Sequence, residues 1–216
     1  MLVPLLFAVT VHEAAHGYAA LMMGDDTARR AGRLTLNPVK HLDPFGSILL
    51  PLLLKLTGSP ILFGYARPVP ISPARFRDLT RGTILVSAAG VTANFGLVAA
   101  SGLFFHGLVM IAPSVYGTWM MPLVRDGLLL CGYSVVINAV LAIFNLIPVP
   151  PLDGSRLLAV ALPNRLRTAY ERLERFGMLL VIALLFTGVI DQVFRFLVAP
   201  LLRLVLGADG MAYLFG

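Results

Sequence analysis

The segment Val11-His12-Glu13-Ala14-Ala15-His16-Gly17 holds two histidines four residues apart, with a glutamate beside the first. On a helix, positions i and i+4 lie one above the other on the same face, so both imidazoles can bind one metal ion while Glu13 reaches the attacking water. Those are the requirements of zinc-assisted peptide hydrolysis. The chain has four histidines and three glutamates, and multiplying residue frequencies over all windows gives a chance match on the order of one in a thousand. The rival reading is an ionic cluster that packs this helix against its neighbours, but burying three ionisable groups in an apolar helix without a metal is costly.

Two histidines leave such a site incomplete, because catalytic zinc usually takes three protein ligands and keeps a fourth position open. His41 lies in a basic loop and His106 near the far end of an apolar run, so both are poorly placed. Asp153 is the better third ligand. It follows Asn145-Leu146-Ile147-Pro148-Val149-Pro150-Pro151-Leu152, where a Pro-broken backbone can turn a carboxylate inward and Gly154 permits a tight turn. The alternative role for Asp153 is an N-cap for the segment that starts at Gly154.

The elements that carry these residues must lie in a membrane. The 216 residues are 58% hydrophobic and 13% charged, with a mean hydropathy of +0.85, whereas a soluble domain is roughly 45–50% apolar and about 25% charged. So few charges cannot cover a water-facing surface, which excludes a soluble globular fold. An all-α polytopic membrane protein of about four to six transmembrane helices is expected, as one intramembrane domain over residues 1–216 with its core motifs at 12–16 and 145–154. The net charge of +6 is no sign of nucleic acid, since the basic residues form no stripe interleaved with exposed aromatics. Thirteen of the 17 lysines and arginines fall in residues 25–43, 58–82 and 155–175, which places those loops in the cytoplasm. Cys131 has no partner for a disulfide and reads as a small buried hydrophobe.

Residues 2–23 form the expected first span, retained because they lack the basic start and cleavage site of a signal peptide. Gly32 to Pro38 alternates like a strand, and Asp43-Pro44 reads as the N-cap and first residue of a helix over about 44–57. That helix is short for a span and basic on both flanks, so it is expected to be re-entrant or interfacial. Residues 61–72 read as an extended, edge-strand segment, because Pro68 and Pro70 prevent a helix. Spans follow over about 82–109 and 121–147, then a basic amphipathic stretch at 164–175. The tail from Phe176 is either one span to about Val189 with an interfacial helix after it, or two short spans divided near Asp191. His12 and His16 stand about 12 and 8 residues from the cytoplasmic end of the first span, which puts the metal on the order of 10 to 18 Å below that surface.

HEAAHG in the first span and NLIPVPPLDG after a later one resemble the two signatures of the site-2 protease family of intramembrane zinc metalloproteases. RLTLNPVKHLDPFGSILLP, FGYARPVPISPARFRD and SAAGVTANF are similar to its compact prokaryotic branch without PDZ or CBS domain. The resemblance implies one zinc per chain held by His12, His16 and Asp153, with Glu13 as general base. It also places the family's motif asparagine on Asn145 and the glycine and asparagine of its central span on Gly90 and Asn94. Val91 stands where many relatives have proline, so that span is expected to kink less. Asn94 and Asn145 are candidates for holding the substrate backbone or the oxyanion, with an interhelical hydrogen bond as the rival role for each.

The resemblance implies a multi-pass protein of the cell membrane whose partners are the lipid bilayer and transmembrane protein or peptide substrates. Its extra N-terminal span is not expected here, because Met1 lies only eleven residues before His12. A helical substrate must unwind before hydrolysis, and segments 33–37 and 61–71 are expected to pair with it by strand addition. Two other functions share the motif chemistry. A metal or ion transporter would also place histidines and carboxylates at mid-membrane, but the chain shows no related halves. An inactive zinc-binding scaffold would not need Glu13.

Overall fold

The computed structural model describes residues 1–43 and 66–216, together with Gly46, Leu49 and Leu56. Helix α1 (Leu2–Met22) carries the HExxH segment, and α2 (Leu79–Ile111) and α3 (Met121–Asn145) form an antiparallel pair beside it. The shorter helices α4 (Asp153–Ala161), α5 (Asn164–Glu171), α6 (Gly177–Phe186), α7 (Val189–Val193) and α8 (Ala199–Phe215) complete the described chain.

Helix α1 ends where Gly24 adopts a positive φ of 105°. The Asp25 N–H then donates to the Ala20 carbonyl and the Gly24 N–H to that of Leu21, the paired bonds that close a helix at a left-handed residue. Helix α2 begins at Asp78, whose carboxylate accepts from the Arg81 N–H at 3.0 Å, satisfying one of the orphan donors of the first turn.

Helix α2 is the central element because it packs along both α1 and α3. Its buried face includes Gly82, Val86, Gly90, Asn94, Val98 and Gly102, one every fourth residue. Such a row is a ridge that fits a neighbour's groove, and its small members let the helices approach closely. The apolar core lies at the other end of the pair, where Val98, Phe105, Leu128, Val135, Leu202 and Leu206 meet.

Among the described residues, two helices are long and apolar enough to cross a membrane, Leu79–Val115 and Met121–Asn145. A third qualifies if residues 164–186 and 189–215, bent by 70° at their junction, form one span. The expected four to six are not reached, and α1 falls outside this set because His12, Glu13 and His16 dilute its hydropathy. The tail breaks at Gly188, ahead of Asp191.

No strand forms among the described residues, contrary to the expectation for 33–37 and 61–71. Backbone groups there bond largely to side chains, and the Arg67 N–H donates to the His41 carbonyl at 2.9 Å without a strand ladder forming among the described residues. Thr35 accepts from His41 through its carbonyl and from the Asn37 N–H through its hydroxyl, while the N–H groups of Val69 and Ser72 donate to carboxylates on and beside α1. The helix expected over 44–57 and residues 61–65 lie outside the described residues, although the Asp43 carboxylate accepts from the Gly46 N–H at 2.7 Å as an N-cap does.

Candidate metal centre

His12 and His16 stack on the buried face of α1, with ring centroids 4.5 Å apart and planes at 86°. Both point toward α2, where Gly90 makes room. A Cβ at that position would come within 2.5 Å of His12 Cε1 and His16 Nε2, so glycine is required for α2 to pass this close to the two rings.

Asp153 reaches the same point from the other side. The chain leaves α3 at Asn145, turns through a run of prolines with a cis peptide between Pro150 and Pro151, and enters α4 with Leu152 as N-cap. Asp153 is thus the first residue of α4 and not its cap. A Cβ on Gly154 would collide with the Leu146 carbonyl, so the glycine lets α4 fold back onto the end of α3 and turns the Asp153 carboxylate inward.

The three groups converge. Asp153 Oδ2 lies 3.3 Å from His12 Nε2 and 3.2 Å from His16 Nε2, and the two Nε2 atoms are 3.0 Å apart. All three residues are buried, each 7–8% exposed. The outer ring nitrogens show which atoms carry protons. His12 Nδ1 sits 2.6 Å from Asn94 Oδ1 and His16 Nδ1 2.7 Å from the Val86 carbonyl. Both partners are acceptors, so each Nδ1 donates, and a neutral imidazole then turns its Nε2 lone pair inward.

With both imidazoles neutral, two nitrogen lone pairs and the Asp153 Oδ2, which has no hydrogen-bond donor, face one another. Such a group of buried acceptors fits a cation. Zinc–ligand bonds of about 2.0–2.1 Å place tetrahedral ligands about 3.3 Å apart, and the donor set of two imidazoles and one carboxylate is that of catalytic zinc. The three are also the residues whose ligand atoms cluster closely enough to hold a metal among the described residues.

Glu13 is half-buried, and its Oε2 accepts from the Val69 N–H at 2.8 Å. Residues 66–72 form an extended strap across this side of α1. The buried Arg33 guanidinium donates to the Arg67 carbonyl at 2.7 Å, and the Arg77 N–H donates to the Met23 carbonyl at 2.9 Å. Asp25 accepts from the Ser72 N–H at 2.6 Å and from the Thr27 N–H and hydroxyl. Burial works to raise the Asp25 carboxyl, but these hydrogen bonds and the Arg75 charge outweigh it and hold the group below the usual carboxylate range. A cavity of about 850 Å³ lies between the strap, the start of α2 and helices α4 and α5. Val69, Val86 and Ser155 line it, each adjoining a residue of the centre.

Of the sequence-identified residues, His12, Glu13, His16 and Asp153 come together. Asn94 joins them through His12 and is fully buried, with its amide nitrogen donating to Asn138 Oδ1 at 2.7 Å and to the Ala8 carbonyl at 3.4 Å. Asn145 is apart from this group, and its amide donates back to the Leu141 carbonyl at 3.0 Å. His41 bonds to Thr35 and His106 to the Val205 carbonyl, so neither reaches the centre. Sequence reasoning missed Asn138, although an amide in an apolar span is a visible signal. It also missed the Val69 N–H and the Val86 carbonyl, backbone groups that no side-chain pattern reveals.

Residues 123–188 match the model of "Peptidase family M50". The chain is 37% identical over 188 residues to "Putative zinc metalloprotease YwhC" of Bacillus subtilis, covering 87% of this chain and 80% of that one. It is 30% identical over 189 residues to "Putative zinc metalloprotease Rip2" of Mycolicibacterium smegmatis, covering 88% and 67%, and 27% identical over 183 residues to the protein of the same name from Mycobacterium tuberculosis H37Rv, covering 83% and 63%. No solved structure matches the chain. The chain belongs to Peptidase family M50, the zinc metalloprotease family to which its site-2 protease resemblance points.

Proposed function

We propose that this chain hydrolyses peptide bonds within or near transmembrane segments of membrane-protein substrates, using one zinc ion held by His12, His16 and Asp153. The observation that carries the reading is the convergence of three buried acceptor atoms beside Glu13, on a helix packed against the spanning helix α2. Zinc bound there supplies Lewis acidity, which polarises a carbonyl and makes water a stronger acid.

The residues of the chain do the rest. Glu13 keeps Oε2 on the Val69 N–H, which leaves Oε1 to take a proton from the attacking water and return it to the leaving amine. Asn94 orients His12 by accepting a hydrogen bond from its Nδ1–H. Its amide nitrogen is engaged by Asn138 and Ala8, which favours this positioning role, an interhelical hydrogen bond, over contact with the oxyanion. Asn145, half-buried at the end of α3, is assigned to contact with the substrate backbone. Water and the unwound peptide reach the centre through the cavity beside the strap, which opens toward the cytoplasmic loops of the cell membrane by the positive-inside rule.

The test is cleavage of a model transmembrane substrate in detergent or proteoliposomes by wild type and Glu13→Gln. Removal of a general base should lower turnover by about 10²–10⁴-fold. Equal turnover by the two proteins would overturn the assignment.

A further inference from the structure

We propose that Asn138, on α3, is a positioning residue for the metal centre, fixing through Asn94 which nitrogen of His12 carries the proton. The inference rests on the reading that His12 is a zinc ligand. A buried chain of hydrogen bonds runs from His12 Nδ1 to Asn94 Oδ1 at 2.6 Å, from Asn94 Nδ2 to Asn138 Oδ1 at 2.7 Å, and from Asn138 Nδ2 to the Ser134 carbonyl at 2.8 Å. Both asparagines are fully buried, and the Ser134 hydroxyl continues the line to Ser101 at 2.8 Å. The chain crosses three helices, from α1 through α2 to α3.

Its direction is determined by two groups that can only accept. The Ser134 carbonyl requires the NH₂ of Asn138, so Asn138 turns its oxygen toward α2. That oxygen, together with the Ala8 carbonyl, requires the NH₂ of Asn94, so Asn94 turns its oxygen toward His12. An oxygen there requires a proton on His12 Nδ1, which leaves Nε2 bare and directed at Asp153 and His16. The tautomer a metal ligand needs is thus set three residues away, by a main-chain carbonyl of α3. Asn94 alone is a weaker determinant, because its second bond, to Ala8, is long at 3.4 Å. Without Asn138 its amide can rotate and present NH₂ to the imidazole, which favours the wrong tautomer.

The experiment is titration of zinc against a competing chelator in detergent-purified full chain, with thermal unfolding of the metal-free protein measured in parallel. Partners that orient a metal-binding histidine typically account for about 10–100-fold in metal affinity. Asn138→Leu should weaken zinc binding by about that factor, while Asn138→Asp, which when protonated both accepts from Asn94 and donates to Ser134, should stay within about threefold of wild type. The double variant Asn94→Leu/Asn138→Leu should bind no more weakly than Asn94→Leu alone, because both act through one path. If Asn138→Leu does not fold, Asn138→Gln decides the matter: it keeps an interhelical amide but displaces it by a methylene, and should still lose about tenfold. Wild-type affinity in the folded Leu or Gln variant would overturn the inference, as would additive losses in the double variant. Failure of wild type itself to bind zinc would instead overturn the proposed function.

Discussion

The backbone N–H of Val69 donates to Glu13 Oε2 at 2.8 Å, joining two residues 56 positions apart in the chain. Glu13 stands on α1, and Val69 on a strap whose neighbours are tied down by Arg33 and Asp25. One carboxylate oxygen is thereby fixed while the other remains available, the arrangement a general base requires.

Removing that donor should reduce turnover without removing the metal. A hydrogen bond to a charged group contributes about 1.5–3 kcal/mol, or roughly 10–100-fold in rate if all of it acts in the transition state. Val69→Pro deletes the N–H in a segment already shaped by Pro68 and Pro70. We expect a fall of that order in kcat with zinc content unchanged, read by cleavage assays and elemental analysis of the same preparation. Wild-type kcat would show that the bond does not position Glu13.

Gly90→Ala is the smallest change that should disable the centre. The added methyl would lie 2.5 Å from atoms of both imidazoles, and those rings cannot turn aside without breaking their bonds to Asn94 and Val86. Zinc affinity is expected to fall by at least about tenfold, with the protein still inserted and extractable. Unaltered affinity would show that α1 and α2 separate easily at this crossing.

The Asp25 clamp predicts a pH dependence with a definite sign. Its carboxyl is held below the usual carboxylate range by Ser72, Thr27 and Arg75 against the opposing effect of burial. A depressed folded-state value stabilises the protein fully above the unfolded value near about 4, and this contribution is lost as pH falls through the folded value. Asp25→Ala should therefore destabilise the protein by about 1.5–3 kcal/mol at pH 7, and the difference from wild type should shrink below about pH 4. A difference that grew on acidification would contradict the assignment. Thermal unfolding across pH 3 to 7 is the measurement.

The candidate metal centre was legible because side-chain chemistry and helical periodicity both speak at His12, Glu13 and His16, and because a proline-broken segment marks Asp153. Asn94 was visible as an amide in an apolar span, but sequence could not tell an oxyanion donor from a partner of His12. That choice depends on where its NH₂ points, which Ala8 and Asn138 decide. Segments 33–37 and 61–71 form no strand among the described residues for a physical reason: a strand needs a partner edge, whereas Thr35 sits at a bend and the Val69 and Ser72 N–H groups are taken by the carboxylates of Glu13 and Asp25. Among the described residues α1 is not counted with the two apolar spans because His12, Glu13 and His16 lower its hydropathy. The Val69 N–H and the Val86 carbonyl carry no sequence signal at all.

The most direct test of the central claim is elemental analysis of detergent-purified wild type, His12→Ala, Asp153→Ala and Glu13→Gln, with cleavage of a transmembrane substrate assayed on the same samples. The expected result is about one zinc per chain in wild type and Glu13→Gln, a loss of zinc in the other two, and cleavage by wild type alone. A folded wild type without zinc, or an Asp153→Ala variant that keeps it, would contradict the metal centre described here.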